Sequence, residues 1–99
     1  MLFNTVSSIT TQQLQEKLKN DIQLIDVREK YEYDAGHIQQ ATNFPLSMIG
    51  QFNGKKENTY YIICQSGMRS KRAAKALKKM GYDVINVAGG MNQWSGKIC

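Results

Sequence analysis

Ninety-nine residues with a mass of 11.2 kDa amount to one domain and one core. One Pro, eight Gly, 41% hydrophobic and 21% charged residues exclude collagen-like, low-complexity and disordered chains. The net charge of +5 is uneven: of 13 Lys and Arg, six (Arg69, Lys71, Arg72, Lys75, Lys78, Lys79) crowd into one stretch without an acid. No aromatic stacking pattern accompanies that charge, so a solvated helix face or a small anionic substrate is expected rather than nucleic acid.

No apolar run approaches the ~18 residues of a membrane span. The start, Met1-Leu2-Phe3-Asn4-Thr5, lacks the basic and apolar regions of a secretory leader. A cytosolic location without membrane contact is expected, unless a leader has already been removed. Cys64 and Cys99, with His37 the one imidazole, match neither a disulfide framework nor a zinc spacing; they read as thiols, with no metal and no cofactor.

Taken along the chain, Thr10 with Gln13 forms a capping box and Ile9 with Leu14 a hydrophobic staple, predicting a helix over Thr11 to Lys19 with Leu14 and Leu18 inward. Gln23 to Val27 predicts a strand, and Glu29 to Ala35 a brief helix stopped at Gly36. After Asn43-Phe44-Pro45, the residues Leu46, Met48, Ile49 and Phe52 give a weak helical period ending near Gly54. Thr59-Tyr60-Tyr61-Ile62-Ile63 has no period-2 polarity, which predicts a central strand covered on both faces. From Ser70, Ala73, Ala74, Leu77 and Met80 share one helical side while the cations take the other, up to Gly81. Asp83 to Val87 predicts a last strand.

Strands alternating with helices predict an α/β domain of three layers: a central parallel sheet with right-handed crossovers and helices on both faces. Ligands in such sheets bind beyond the strands' carboxyl ends. Cys64 is the first residue past its strand. It opens the loop Cys64-Gln65-Ser66-Gly67-Met68-Arg69, in which Gly67 permits a positive φ, backbone N–H groups converge, and the next helix presents its positive dipole end. An anion belongs there, and the same field favours the thiolate of Cys64. No separate base is required.

At this point the chain resembles the single-domain rhodaneses, or thiosulfate sulfurtransferases, over roughly residues 9 to 96. The strand Tyr61-Ile62-Ile63-Cys64 enters a C-x-x-G-x-R loop. Ile25-Asp26-Val27-Arg28 with Glu32 is similar to the family's D-V-R signature, Gly36-His37-Ile38 with Ala41-Asn43-Phe44-Pro45 to its G-H-I-x-x-A stretch, and Gly89-Gly90 through Trp94 to its G-G-x-x-x-W close. The resemblance implies a rhodanese-like domain spanning 1–99. It also implies a sulfurtransferase in which Cys64 takes a sulfane sulfur as a persulfide and passes it to cyanide or a thiol. The donor is a small anion, thiosulfate or a persulfide; the thiol acceptor is small or protein-borne.

The backbone of Gln65, Ser66, Gly67, Met68 and Arg69 is the expected anion cradle. Arg69 either binds substrate or ties the loop to an acid such as Asp26. Asp26 and Arg28 are expected as a structural ion pair beside the site, His37 as a structural histidine, Trp94 as core and Cys99 as an incidental thiol. With no second domain, the pocket should be shallow and open. The loop interior Gln65-Ser66-Gly67-Met68 carries no charge, whereas the family members most clearly tuned to thiosulfate often place basic residues there, so the resemblance leaves room for thiosulfate as a surrogate and a persulfide as donor. Rival readings are a sulfur carrier without turnover, a regulatory binding module, and a Cys-based phosphatase or arsenate reductase. Those enzymes place five residues between Cys and Arg, where this chain has four.

Overall fold

A computed structural model describes residues 5–99. Five parallel strands form one sheet in the order β1-β5-β4-β2-β3: β1 (Ser7–Ile9), β2 (Gln23–Asp26), β3 (Ala41–Asn43), β4 (Thr59–Ile63) and β5 (Asp83–Val87). The helices are α1 (Thr11–Lys17), α2 (Lys30–Ala35), α3 (Met68–Lys79) and α4 (Gly90–Gln93), with a 3₁₀ helix at Leu46–Gln51. The alternating α/β architecture, parallel sheet and two helical layers follow the expected pattern.

β4 shows how the sheet divides two cores. Its side chains alternate, Tyr60 and Ile62 joining Ile25, Val27, Ala73, Ala74 and Leu77 on the α3 face. Tyr61 and Ile63 join Leu14, Leu24, Ile38 and Val87 on the α1 face. A strand with no polar face is what two covered sides require. Cys64 continues the alternation and falls on the α3 side.

α1 opens on the capping box: Gln13 N–H donates to Thr10 Oγ1 at 3.0 Å and Thr10 N–H to Gln13 Oε1 at 2.8 Å. It stops at Lys17, two residues short of expectation, with Leu18 as its C-cap. α3 starts two residues early, at Met68. The weak period after Pro45 is a 3₁₀ helix, fitting six residues with one buried side chain, Ile49.

Three elements carry no usable sequence signal. β1 and β3 have three residues each, and β1 is mostly exposed at the sheet's edge, so apolar patterning is too short to read. α4 has four residues, and its N-cap Gly89 and first residue Gly90 both have positive φ, which read as a turn.

The strand order places the site. Connections from β2 run outward to β3, and those from β4 run the other way to β5. The carboxyl ends of the adjacent strands β2 and β4 therefore flank a topological switch point. Asp26 pairs with Ile63 across it, and Val27 N–H donates to Ile63 O at 2.9 Å. Arg28 and Cys64 follow directly.

Candidate active site

The loop after β4 turns on Gly67, the N-cap of α3, at φ 99°. A side chain there would be strained, and a Cβ would lie 2.9 Å from the Gly89 nitrogen. Having no side chain, Gly67 leaves the first amides of α3 without the usual Ser, Thr or Asp acceptor. Cys64 Sγ takes that place. Gly67 N–H donates to it at 3.1 Å and Ser70 N–H at 3.2 Å, and Ser70 Oγ lies 3.3 Å away. Once the sulfur is ionised, the Ser70 hydroxyl can only donate to it.

Burial of the Cys64 thiol opposes its ionisation, but the Ser70 hydroxyl and the amides of Ser70, Gly67 and Ser66 outweigh that effect and lower its pKa. A buried anion needs such donors around it. Both Cys64 and Ser70 are fully buried. A shallow, open pocket over the sulfur is thus not what the chain forms: Sγ has no free surface, because the loop's own amides wrap it.

A second strap holds the loop from outside. Arg28 and Asp26 are buried together, with Arg28 Nε 3.1 Å and Nη2 2.8 Å from the carboxylate and Arg28 N–H 3.0 Å from Oδ1. The remaining guanidinium donors reach Gly36 O at 2.8 Å and Gln65 Oε1 at 3.2 Å. Gln65 Nε2 in turn donates to Asn92 Oδ1 at 2.7 Å. Gln65, the second loop residue, is so tied to Arg28 after β2 on one side and to α4 on the other.

α4 grips the loop backbone too. Met91 N–H donates to Cys64 O at 2.8 Å and Asn92 N–H to Gln65 O at 2.9 Å. Gly90 sits where any Cβ would collide with those two carbonyls. The paired glycines of the closing motif therefore permit contact between two backbones.

Arg69 does not turn into the cradle, nor does it meet Asp26, whose oxygens Arg28 occupies. It forms a two-pronged pair with Glu32 of α2, Nη1 to Oε1 at 2.7 Å and Nη2 to Oε2 at 2.9 Å. Glu32 also accepts from Glu29 N–H at 2.9 Å. Arg69 above all holds the Glu32 carboxyl down to about 2 against burial, which opposes it, and the Glu29 amide and Arg28 add to the lowering; Glu32 raises the pKa of Arg69.

The other candidates lie apart from the sulfur's contacts. His37 stacks on Tyr33, centroids 3.7 Å apart, with Nδ1 2.8 Å from Tyr33 O. Trp94 packs on the α1-side core, and Cys99 is exposed. The Met68 side chain is 74% exposed, and Ser66 is exposed as well. No cluster of three or more His, Cys, Asp or Glu able to hold a metal occurs among the described residues, and no described helix is long and apolar enough to cross a membrane.

Three contributors escape sequence reasoning. Ser70 reads only as a helix start, although a glycine N-cap puts an amide and a hydroxyl at the third helical position. Glu32 reads as part of a motif, although its place three residues after Glu29 makes a capping box. Asn92 gives no signal.

A parallel α/β domain with a cysteine-opened, glycine-turned loop at its switch point defines a class of small domains that carry a thiol at the sheet's carboxyl edge. The rhodanese-like domain family matches residues 10–97, and the chain belongs to it. It is 38% identical over 96 residues to the putative sulfurtransferase YtwF of Bacillus subtilis, covering 93% of each chain. It is 38% identical over 99 residues to the putative sulfur carrier protein YrkF of the same organism, covering 95% of this chain and 54% of that one. The crystal structure of a rhodanese-like domain protein from Staphylococcus aureus superposes with a TM-score of 0.83 at 38% identity, covering 91% of this chain and 92% of that one. The chain spans between about half and two thirds of the length of two of its curated relatives. It is thus a member of a family of sulfurtransferases and sulfur carriers.

Proposed function

We propose that this domain is a sulfurtransferase that moves a sulfane sulfur through a persulfide on Cys64. One observation carries the reading: Sγ accepts from Gly67 N–H and Ser70 N–H with Ser70 Oγ alongside, a donor set suited to a sulfur anion. In the first half-reaction the Cys64 thiolate attacks the outer sulfur of the donor. The donor's S–S bond breaks and its electron pair leaves with sulfite, or with a thiolate when the donor is a persulfide. In the second, an acceptor nucleophile attacks the outer sulfur of Cys64–S–S⁻, and Cys64 departs as the thiolate it was. No net oxidation occurs within a full cycle.

The donors that hold the thiolate also serve the leaving thiolate, so each half-reaction develops charge where amides already point. Ser66 and Met68 are the exposed residues of the loop, so a donor approaches Sγ from their side. Both arginines near the site are neutralised, Arg28 by Asp26 and Arg69 by Glu32. That favours a singly charged persulfide as physiological donor over dianionic thiosulfate.

A carrier function, loaded and unloaded by other proteins, is the second reading, and the same buried sulfur and neutralised cations favour slow turnover with small anions. Initial-rate kinetics with thiosulfate and cyanide decide: continuous thiocyanate release marks an enzyme, and a single stoichiometric burst marks a carrier. Phosphatase chemistry lacks support, because the four-residue spacing leaves a cradle wrapped on one sulfur and the Arg69 guanidinium is taken up by Glu32. A cytoplasmic location completes the proposal.

A further inference from the structure

We propose that the exposed face of α3, together with the rim formed by Met68 and Tyr31, is the docking surface for an acidic protein whose cysteine exchanges sulfur with Cys64. The inference rests on the sulfur-transfer reading and adds the partner's chemistry.

Lys71, Arg72, Lys75, Lys78 and Lys79 are all exposed, and none joins an ion pair among the described residues. Lys78 and Lys79 lie in the last turn, where they complement the helix dipole. Lys71 and Arg72 lie near the opposite end, where that dipole disfavours cations. Lys71 with Lys75 and Lys75 with Lys79 are like charges four residues apart, each costing a few tenths of a kcal/mol. Helix stability therefore does not account for the pattern.

Its placement does point to a ligand. Met68, Arg72, Lys75 and Lys79 follow one another at i, i+4, i+7 and i+11, a single stripe about 17 Å long that starts at the loop over Cys64. At that end the Arg69–Glu32 pair brings together two elements whose adjacent residues, Met68 and Tyr31, are 74% and 76% exposed. An apolar anchor beside a basic stripe, next to a nucleophile with no free surface, suits a polypeptide that inserts one slender cysteine arm. Phosphate-backbone binding would use the stripe but not the methionine. In transfer, the partner's thiolate attacks the outer sulfur of Cys64–S–SH; the S–S bond breaks, its electron pair returns to Cys64 Sγ, and the partner keeps the S–SH.

Fluorescence anisotropy tests the surface without any sulfur chemistry. The probes are a labelled Glu- and Leu-rich peptide ending in Cys, its Gln-for-Glu counterpart, and a single-stranded RNA oligonucleotide, each titrated at about 0.02 and 0.2 M salt. The acidic peptide should bind at least about tenfold more tightly than its neutral counterpart at low salt. The exposed double variant Arg72→Glu/Lys75→Glu should abolish that preference while keeping its circular dichroism and its rate of discharge to cyanide. Equal binding of both peptides, unchanged binding by the variant, or tighter binding of the RNA would overturn the proposal. Binding retained in Cys64→Ser supports the surface independently, whereas failure of the sulfur chemistry shows separately, as no mass gain on thiosulfate treatment of the wild-type protein.

Discussion

Arg69 closes the loop that surrounds Cys64, yet its guanidinium is 2.7 Å from Glu32 Oε1 and 2.9 Å from Oε2, so the loop's one cation joins α2 to α3 and makes no hydrogen bond to the sulfur. Its effect on chemistry is positional: Arg69 is the second residue of α3, and Ser70, which donates to Sγ, is the third.

Glu32→Gln should therefore alter stability with a defined pH dependence. The Glu32 carboxyl is lowered from 4.5 to about 2, so its contribution is fully present above about pH 4.5 and is lost as pH falls toward 2. The shift alone corresponds to about 3 kcal/mol, but Arg69 is 34% exposed, and screening reduces the expected value to about 1–2 kcal/mol. Urea unfolding of wild type and variant should differ by that amount at pH 7 and converge near pH 2.

Ser70→Ala removes one of the three groups hydrogen-bonded to Sγ and leaves the amides. A charge-assisted bond of about 1.5 kcal/mol predicts roughly tenfold slower sulfur loading at neutral pH, with recovery at alkaline pH. Thiolate absorbance at 240 nm should titrate below 9.0 in the wild type, since the Cys64 pKa is lowered, and at higher pH in the variant. Equal profiles would show that the hydroxyl contributes nothing.

Asp26→Ala leaves Arg28 buried, 4% exposed, with its principal counter-charge gone. Breaking a buried pair costs about 3–5 kcal/mol, a large share of a small domain's stability. Thermal denaturation should show a drop of well over 10 °C, at about 4–8 °C per kcal/mol.

Gly90→Ala sets a methyl group against the carbonyl oxygens of Cys64 and Gln65. Displacing α4 to relieve it should cost about 1–3 kcal/mol and slow loading of Cys64. Gly50→Ala, where nothing lies within 4 Å of the added carbon, is the control, and its loading rate should match the wild type.

How much of this was legible depends on how local each feature is. The capping box at Thr10 and Gln13, the two-sided strand Thr59–Ile63 and the cationic face of α3 are written in contiguous residues, and the sheet follows from their alternation. The Cys64 loop reads clearly because glycine, a strand end and a helix start occur within a few positions. The partner of Arg69 does not, because Glu32 and Asp26 are equivalent acids until the fold decides which one Arg28 occupies. The bracing of the loop is also unreadable, since Gln65 meets Arg28 and Asn92 from two distant elements. β1, β3 and α4 are shorter than the periods that would reveal them.

Intact-mass spectrometry after brief exposure to thiosulfate or a small persulfide tests the central claim most directly. The wild-type protein and Cys99→Ser should each gain one sulfur atom, released by cyanide, while Cys64→Ser should gain none and keep its fold by circular dichroism. A sulfur that loads equally well on Cys64→Ser, or a wild-type protein that takes up none, would contradict the account.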